Sequence, residues 1–442
     1  MSNKRKILVG TIVLTATGFL TRFIGFFFRM FLSHTFGEEQ VGLYQLIFPI
    51  YALCFSLSCA GIETAISRTT ARKVSIGRRN EAVCLLYIGI AISLLFSLAS
   101  MFVLQAYASV FSIYILGDPR CESMLTVVSY ALPFASVHSC IVGYYLGLKQ
   151  TKIPAISQLL EQLARIMTVY IIYLFCKNND YQISILFAVI GIVFGECCSS
   201  FFCACHFTSR TKKIKISSTF SHIPFLTKEL LQLAAPLTGS RILLNILQSV
   251  ESISIPLRLH AYGYSTSEAL SNYGVLTGMA LPCILFPSAI TNSISTMLLP
   301  TVAEMQATNN YKRIKKLVQT IFITCFSLGL LCFLTFFIFS SFIGIILFHS
   351  SLVSDYLKTL SWICPFLYLN TTLISIVNGL GKTNVSFIIN TFSLFIRILG
   401  VLFMIPKIGM HGYLLGLLFS QLCTFFFCLL YLTSHLKKKE SF

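Results

Sequence analysis

Charged residues make up only 11% of this 442-residue sequence. An ordinary soluble protein carries about 25% charged residues, so the scarcity of charge excludes a soluble protein of the usual kind. Hydrophobic residues make up 56%, and apolar runs of about 20 residues, each long enough to cross a bilayer, recur along the whole chain. The first run, residues 7–32, is too long for the apolar core of a signal peptide and is interpreted as a retained helix. No stretch remains for a soluble domain of useful size.

Motifs of catalysis are absent as well. The sequence has neither a His-Glu zinc motif nor a Gly-x-Ser-x-Gly nucleophile turn. Residues 379–383 resemble the end of a phosphate-binding loop, but Ile376 stands where that motif needs its first glycine. Cys203, Cys205 and His206 lack a fourth ligand at a zinc-like spacing. The sequence therefore predicts no enzyme activity, no metal and no cofactor.

Acidic residues are also few, with 15 against 33 lysines and arginines, which gives a net charge of +18. A surplus of this size could indicate a nucleic-acid partner, but its distribution follows the pattern of a membrane protein. The apolar runs predict twelve helices, over residues 7–32, 41–68, 82–107, 123–148, 153–176, 182–207, 229–257, 272–298, 314–347, 357–380, 384–405 and 411–434.

The basic residues fall mainly on one side of these helices. With the amino terminus in the cytoplasm, 22 of them lie in inner segments, 5 lie in outer segments and 6 arginines lie within helices. The inner set includes Lys4, Arg5, Lys6, Arg210, Lys212, Lys213, Lys215, Lys437, Lys438 and Lys439. This bias follows the positive-inside rule and predicts a multi-pass protein of the cell membrane with both termini in the cytoplasm. The basic inner face also fits anionic membrane lipid, so no nucleic-acid partner is predicted.

The chain contains an internal repeat. A stretch at 147–165 is echoed 232 positions later, and the matched pairs are Gly147 and Gly379, Leu148 and Leu380, Thr151 and Thr383, and Arg165 and Arg397. Repeats of this size are typical of secondary transporters, whose substrate sites lie at the repeat interface. The predicted fold is all-α, with about twelve transmembrane helices in two six-helix lobes, 1–207 and 229–442. A basic cytoplasmic linker, 208–228, joins them.

Two arginines lie within the first predicted helix. Arg22 and Arg29 are seven residues apart, which is two helical turns, so they share a face. A charge at mid-bilayer costs about 2.5–3.5 kcal/mol on insertion scales and normally faces a bundle interior or a wet cavity. Arg22 is predicted to face such a cavity, whereas Arg29 lies near the outer end and could reach the interface instead.

Further polar residues form stripes at helical spacing. The fifth helix places four of them on one face: Gln158, Glu161, Gln162 and Arg165. The seventh helix places another four on one face: Arg241, Asn245, Gln248 and Glu251. The stripe on the fifth helix is expected to face the bundle interior. Glu161 can pair with Arg165 within the helix, and contact of this stripe with substrate stays open.

Two more candidates come from single positions. Glu63 either enters the cavity or pairs with Arg68, and the sequence favours neither. Arg397 is a candidate because the repeat matches it with Arg165. With these two, the candidate cavity residues are Arg22, Arg29, Glu63, Gln158, Glu161, Arg165, Arg241, Glu251 and Arg397.

Four stretches in order resemble a known family. They are Thr-Arg-Phe-Ile-Gly-Phe at 21–26, the turn Gly-Glu-Glu…Gly-Leu-Tyr-Gln at 37–45, the pattern from Pro154 to Arg165, and Tyr-Gly…Gly-Met-Ala-Leu-Pro at 273–282. Together they resemble the stage V sporulation protein B group. This group belongs to the polysaccharide-exporter branch of the multidrug/oligosaccharidyl-lipid/polysaccharide (MOP) flippase superfamily, beside the lipid II flippases.

The resemblance implies two lobes in a V that alternates between inward-open and outward-open forms. It implies a lipid-linked sugar pyrophosphate as cargo, such as an undecaprenyl-linked peptidoglycan precursor. Arg22 matches the Arg-x-x-Gly motif whose arginine serves the anionic head group in lipid II flippases. The spacing from Arg22 to Arg29 is one residue longer than is typical there, and the extra pair of carboxy-terminal helices that forms a lipid-tail groove is missing.

The sequence therefore predicts a flippase for a lipid-linked glycan. Arginine suits phosphate because its planar, permanently charged fork donates two hydrogen bonds. The predicted partners are the lipid-linked glycan and membrane lipid, with cell-wall or spore-cortex synthesis proteins as further candidates. Two alternatives stay open: a cation-coupled multidrug antiporter that uses Glu161 or Glu251, and a membrane scaffold without transport activity.

Overall fold

The computed structural model describes residues 3–211, 223–308 and 310–440. Lys212, Lys213 and Lys215 of the predicted linker lie outside the described residues. The described side chains likewise exclude Lys4, Arg5, Lys6, Arg210, Lys437, Lys438 and Lys439.

The described part of the chain is helical and contains no strand, which confirms the predicted all-α class. The first part of the chain forms α1 (Asn3–Leu46), α2 (Phe48–Phe55), α3 (Gly61–Ser75), α4 (Arg79–Ala106), α5 (Ala108–Val110), α6 (Cys121–Ser129), α7 (Ala131–Gly147), α8 (Lys152–Asn178) and α9 (Leu186–Thr211). The second part forms α10 (Ile223–Tyr262), α11 (Thr266–Gly274), α12 (Leu281–Leu285), α13 (Ser288–Ala307), α14 (Tyr311–Ile338), α15 (Ser351–Leu360), α16 (Cys364–Gly379), α17 (Thr383–Leu399), α18 (Ile405–Ile408) and α19 (Met410–Glu440).

These helices confirm a multi-pass membrane protein. Within the described ranges, nine candidate spans are long and apolar enough to cross a bilayer, or up to eleven when two bent helix pairs are each taken as one span. The first candidate runs through 64 residues, from Ile12 to Ser75, and α1 inside it is broken at Gly37, whose φ of 79° lies in the left-handed region. The helix count of twelve stays a prediction.

Several helices are interrupted by π-helical turns, which insert an extra residue and shift backbone carbonyls away from their usual partners. They lie at Ser56–Ala60, Phe111–Leu116, Val275–Ala280, Phe342–Leu347 and Gly400–Met404. The turn at Val275–Ala280 separates α11 from α12. Pro282 follows at the start of α12, where its missing amide hydrogen costs little.

The chain folds into two compact units. The first comprises the chain up to Phe28 together with Leu43–Ser249, and the second comprises Arg29–Gly42 together with Val250–Phe442. The divisions fall inside α1 and α10, so the part of α10 up to Ser249 packs with the first unit. The predicted lobe boundaries at 207 and 229 stay a prediction.

Each unit uses a glycine to bring two helices into backbone contact. A methyl group on Gly147 of α7 would come within 2.6 Å of the carbonyl oxygen of Ser67 on α3. A methyl group on Gly379 of α16 would come within 2.9 Å of the carbonyl oxygen of Leu299 on α13. Gly379 lies 232 positions after Gly147, and Leu299 lies 232 positions after Ser67. The repeat in the sequence is therefore also a repeat of helix packing.

A buried lysine ties three helices of the first unit together. Lys73 of α3 is 4% exposed, and its Nζ lies 2.7 Å from an Oε of Glu81 on α4 and 3.1 Å from an Oε of Glu229 on α10. Arg72 also pairs with Glu229. The exposed Arg78 lies 3.4 Å from Glu81 at the edge of this network. The network explains why the beginning of α10 packs with the first unit.

Removing both carboxylates of this network should destabilise the protein strongly. Stripping a buried charge of its partners costs about 3–5 kcal/mol, so we expect the double variant E81Q/E229Q to unfold at a markedly lower temperature than either single variant. The matched control R78Q removes an exposed pair, which is worth about 0–1 kcal/mol. Thermal melts in detergent, followed by circular dichroism, measure the unfolding temperature of each variant. A double variant as stable as R78Q would contradict the interpretation.

Candidate functional site

The predicted cavity residues divide between the two units. The first unit contains Arg22, Glu63, Gln158, Glu161, Arg165 and Arg241, and the second contains Arg29, Glu251 and Arg397. Arg22 and Arg29, predicted on one helical face, therefore belong to different units.

The stripe on α8 centres on an ion pair. Nη2 of Arg165 lies 2.7 Å from Oε1 of Glu161, one helical turn away, and both side chains are 20% exposed. Gln158, one turn earlier, is exposed. The in-helix pair that the spacing predicted is thus formed, and it largely neutralises this part of the helix.

Two residues from neighbouring helices complete a cluster around this pair. Nδ1 of His138 on α7 lies 3.4 Å from Oε2 of Glu196 on α9. Both side chains are 12% exposed, and both interact electrostatically with Glu161. We call His138, Glu161, Arg165 and Glu196 the histidine–glutamate cluster.

The cluster sits where α8 and α9 touch. A methyl group on Gly195 would come within 2.8 Å of the carbonyl oxygen of Glu161 and 3.3 Å of Cβ of Arg165. The absence of a side chain at Gly195 lets the two backbones approach and places Glu196 next to the α8 pair. Any change in the spacing of these helices therefore changes the cluster.

The first helix approaches the same stripe through the Arg-x-x-Gly motif. A methyl group on Gly25 would lie 3.5 Å from Nε2 of Gln162 on α8, so α1 passes close to the polar face of α8. Arg22 precedes Gly25 by three residues, on the same side of α1, and its side chain is exposed although it lies within a candidate span.

A second exposed arginine of the first unit lies on α10. Nη2 of Arg241 donates to Oγ1 of Thr64 on α3 over 3.3 Å. The half-buried Glu63, next along α3, interacts electrostatically with Arg241 and His138. Glu63 therefore lies between Arg241 and the histidine–glutamate cluster.

In the second unit, Arg397 of α17 and Glu251 of α10 form a buried ion pair. Nη2 and Nε of Arg397 lie 2.7 and 2.8 Å from the same Oε1 of Glu251. The Tyr413 hydroxyl on α19 donates to that oxygen over 3.1 Å. Glu251 is 2% exposed. The two arginines matched by the repeat are thus both paired with a glutamate. Arg165 pairs with a glutamate of its own helix, whereas Arg397 pairs with a glutamate of α10.

Arg29 contacts two backbone carbonyl groups. Its Nη1 lies 3.4 Å from the carbonyl oxygens of both Thr277 and Gly278. These carbonyls belong to the π-helical turn at Val275–Ala280, which displaces carbonyls from the regular helical pattern. Arg29 therefore helps to hold the outer part of α1 against the interrupted helix of the second unit.

One group among the described residues has the spacing of a metal site. The ligand atoms of His138, Glu161 and Glu196 lie within 4.8 Å of one another. Arg165 already pairs with Glu161, however, and its charge would repel a divalent cation at this distance. We therefore assign no metal to the group.

The sequence did not mark His138, Glu196 or Tyr413 as a candidate cavity residue. His138 stands alone among apolar and small residues of α7, and Tyr413 lies in an apolar run. Neither has a polar neighbour at helical spacing that would mark a polar face. Only their partners on other helices reveal them.

Breaking the pair in the second unit should cost stability. Glu251→Ala leaves Arg397 without its carboxylate, and such a loss costs about 3–5 kcal/mol. The double variant E251A/R397A should lose less than the sum of the single variants, because it leaves no unpaired charge. Thermal unfolding of the four proteins measures the coupling. R258A, at an exposed position of α10, is the control and should change stability by no more than about 0.5 kcal/mol. Additive losses would show that the pair does not act as a unit.

Comparisons with known proteins agree with the architecture. Stage V sporulation protein B of Bacillus subtilis (strain 168) is 26% identical over 416 residues, which cover 92% of this chain and 80% of that protein. The lipid II flippase MurJ of the same organism is 21% identical over 341 residues, which cover 72% of this chain and 62% of that protein. A solved structure of lipid II flippase MurJ in an inward closed conformation has the same fold, with a TM-score of 0.72 at 17% identity over 96% of this chain and 87% of that one.

Two family models match the sequence. Residues 242–402 match the MatE model, and residues 7–306 match the model described as polysaccharide biosynthesis protein. The resemblance to the polysaccharide-exporter branch of the MOP superfamily is thereby confirmed. Because the second match covers most of the chain, this multi-pass membrane protein belongs to the polysaccharide biosynthesis protein family, within a superfamily of membrane transporters and flippases.

Proposed function

We propose that this protein flips an anionic lipid-linked oligosaccharide across the cell membrane by alternating access. The proposed cargo is an undecaprenyl-pyrophosphate-linked precursor of peptidoglycan, similar to lipid II. The proposed topology places both termini in the cytoplasm. The observation that carries the proposal is that Arg22 and Arg241 are exposed within candidate spans of the first unit.

Arg22 and Arg241 are more exposed than Arg165 and Arg397. Arg165 and Arg397 are held by Glu161 and Glu251. Arg22 and Arg241, in contrast, are exposed within candidate spans of the first unit. An arginine in contact with lipid is costly and normally faces a water-filled cavity. Arg22 and Arg241 are therefore the residues that we assign to the pyrophosphate.

The chemistry of arginine fits this cargo. Pyrophosphate must leave water to cross the membrane, and the guanidinium fork replaces water with two charge-assisted hydrogen bonds that need no proton. Gly25 allows α1 to pass close to α8, so Arg22 lies beside a polar face rather than beside lipid. We assign the paired Arg165 and Arg397 to positioning of their helices, with Gln158 as a further polar residue on the α8 face.

The spans as a whole also favour an anionic cargo. The twelve helices predicted from the sequence contain six arginines, Arg22, Arg29, Arg68, Arg165, Arg241 and Arg397, against five glutamates, Glu63, Glu161, Glu196, Glu229 and Glu251. Movement of one elementary charge across the membrane is worth about 2.3 kcal/mol per 100 mV. A membrane potential that is negative inside therefore assists the outward passage of an anionic head group.

A multidrug antiporter is the second candidate. The MatE match over residues 242–402 favours it, and Glu161 or Glu251 would be its cation-binding residue. Both glutamates are held by arginines, however, which leaves little negative charge for a cationic drug. Sensitivity of a deletion strain to cationic drugs, restored by the wild-type gene, would favour this second function.

The proposal is tested by flipping of fluorescent lipid II in proteoliposomes, read out as accessibility of the fluorophore to a membrane-impermeant quencher. Loss of a charged hydrogen bond costs about 1.5–3 kcal/mol, so R22A should slow flipping by roughly 10-fold to 150-fold. R22K should retain part of the activity, because it keeps the charge and loses the fork.

The control for this experiment is R258A, which removes an exposed arginine near the end of α10. It should flip lipid II at the wild-type rate. Flipping by R22A at the wild-type rate, with all proteins equally folded, would contradict the assigned role of Arg22. Absence of flipping by the wild-type protein would contradict lipid II as cargo.

A further inference from the structure

A groove on the second unit has no part in the proposed binding of cargo. It lies between α14 and α19, has a volume of about 470 Å³ and is bordered mainly by apolar side chains. Both helices are candidate membrane spans. The groove is open at the surface, since Ile323 on its border is 66% exposed. The other apolar residues of the border are Val318, Phe322, Leu429, Leu432 and Leu436.

One end of the groove is basic. Lys315, in the first part of α14, lines the groove there. Three further exposed basic residues lie within one helical turn of it: Lys312, Arg313 and Lys316. We call these four residues the basic cluster. The whole of α14 contains no aspartate or glutamate, so the helix itself offers the cluster no carboxylate.

Neither helix stability nor topology accounts for this combination. A helix begins at the positive end of its dipole, so acidic residues stabilise a first turn and basic residues oppose it. The positive-inside rule accounts for basic residues at the cytoplasmic face. It does not account for an apolar groove that ends at them.

The internal repeat provides a matched surface in the first unit. The shift of 232 positions relates Lys315 and Val318 of α14 to Val83 and Leu86 of α4. Val83 and Leu86 are 0% exposed, whereas Lys315 is exposed and Val318 is only half-buried. The same face of the repeated helix is therefore covered in the first unit and open in the second.

The beginning of α10 takes part in that covered region of the first unit. Leu226 and Leu230 of α10 belong to one buried apolar cluster with Val83 and Leu86. Between them, Glu229 lies 3.1 Å from Nζ of Lys73. This segment of α10 thus brings apolar side chains and a carboxylate to the unit together.

The corresponding apolar cluster of the second unit is built without such a segment among the described residues. Its members come from α13, α14, α16, α17 and α19 and from Leu380. An occupant of the open groove must therefore offer what α10 offers in the first unit. It needs an apolar part for the groove and a negative charge for the basic cluster.

A lipid meets these requirements better than a peptide or a second copy of the chain. An extended peptide would bring backbone N–H and C=O groups into an apolar region where nothing satisfies them, whereas an acyl chain has no polar atoms. In a symmetric dimer the same patch would face itself, so two basic clusters would repel each other. Basic pockets between transmembrane helices on the cytoplasmic side are known to bind the head groups of anionic lipids.

From these observations we propose that the groove between α14 and α19 binds an anionic phospholipid. Its phosphate lies against the basic cluster, and an acyl chain lies between the two helices. The proposed topology places this lipid in the cytoplasmic leaflet. The site is separate from Arg22 and Arg241, and it does not depend on the proposed flippase function.

The site is tested by native mass spectrometry of the delipidated, full-length protein with added phosphatidylglycerol. Phosphatidylcholine with the same acyl chains is the comparison, because it has no net negative charge. We expect phosphatidylglycerol to bind at a lower concentration and to raise the unfolding temperature, as any ligand of the folded state does. Equal binding of the two lipids would overturn the proposal.

The variant K315Q/K316Q tests the basic cluster. It should weaken the binding of phosphatidylglycerol by roughly 30-fold, the product expected for two lysines beside an anionic lipid. The matched control K149Q/K152Q removes two exposed lysines at the beginning of α8 and should bind as the wild-type protein does. Equal binding by K315Q/K316Q and the control would overturn the assignment of the phosphate to the cluster.

The variant V318W tests the groove without changing any charge. The larger side chain should occupy the space of the acyl chain and weaken the binding of phosphatidylglycerol. Its control, L331W, adds the same ring at a position of α14 that is 62% exposed and outside the groove. Equal effects of the two variants would overturn the assignment of the acyl chain. Thermal melts establish that all variants are folded.

Competition experiments distinguish the other occupants. Displacement of phosphatidylglycerol by glycerol phosphate at the same concentration would mean that the cluster binds phosphate without a lipid. Displacement by lipid II at a lower concentration would assign the groove to cargo. A dimer of the delipidated protein that V318W abolishes and L331W retains would assign the groove to a second copy. Each of these results would overturn the phospholipid site, whereas a failure of lipid II flipping would leave it standing.

Discussion

The cost of charge in a low-dielectric environment is the constraint on which this structure depends. A buried ionised group must meet an opposite charge or water. Lys73 meets Glu81 and Glu229, Arg165 meets Glu161, and Arg397 meets Glu251. The pairs of Lys73 and Arg397 join different helices within their units, whereas the pair of Arg165 lies within α8. Arginines that are exposed within a candidate span are the residues that need a functional explanation.

The repeat gives both halves the same helix packing but not the same chemistry. The backbone contact at Gly147 and its counterpart at Gly379 occur at equivalent positions, and the matched arginines on α8 and α17 are both paired. Their carboxylates come from different places, however: one from the same helix and the other from α10. Glu161 of α8 also lies within 4.8 Å of His138 and Glu196, whereas Ser393 occupies the equivalent position on α17. A common scaffold can in this way support two different polar sites.

Exposure separates the arginines by role. Arg165 and Arg397 stabilise helix positions, and the carboxylates of Glu161 and Glu251 neutralise their charge. Arg22 and Arg241 are exposed on spans of the first unit, and they adjoin the cluster through α8 and Glu63. The proposed anion-binding residues on α1 and α10 thus lie beside the histidine–glutamate cluster of α7, α8 and α9.

Composition and periodicity determined the class of this protein. Scarce charge and recurrent apolar runs require a helical membrane protein, since only helices satisfy their own backbone hydrogen bonds within one apolar segment. The contact between Glu161 and Arg165 was also readable, because residues four apart on a helix always face the same side. The pairing of Arg397 with Glu251, 146 residues away, and the meeting of His138 with Glu196 were decided only by the tertiary structure. Helical periodicity tells which residues share a face, but not which helix lies opposite, and it is the opposite helix that determines whether a buried charge is paired.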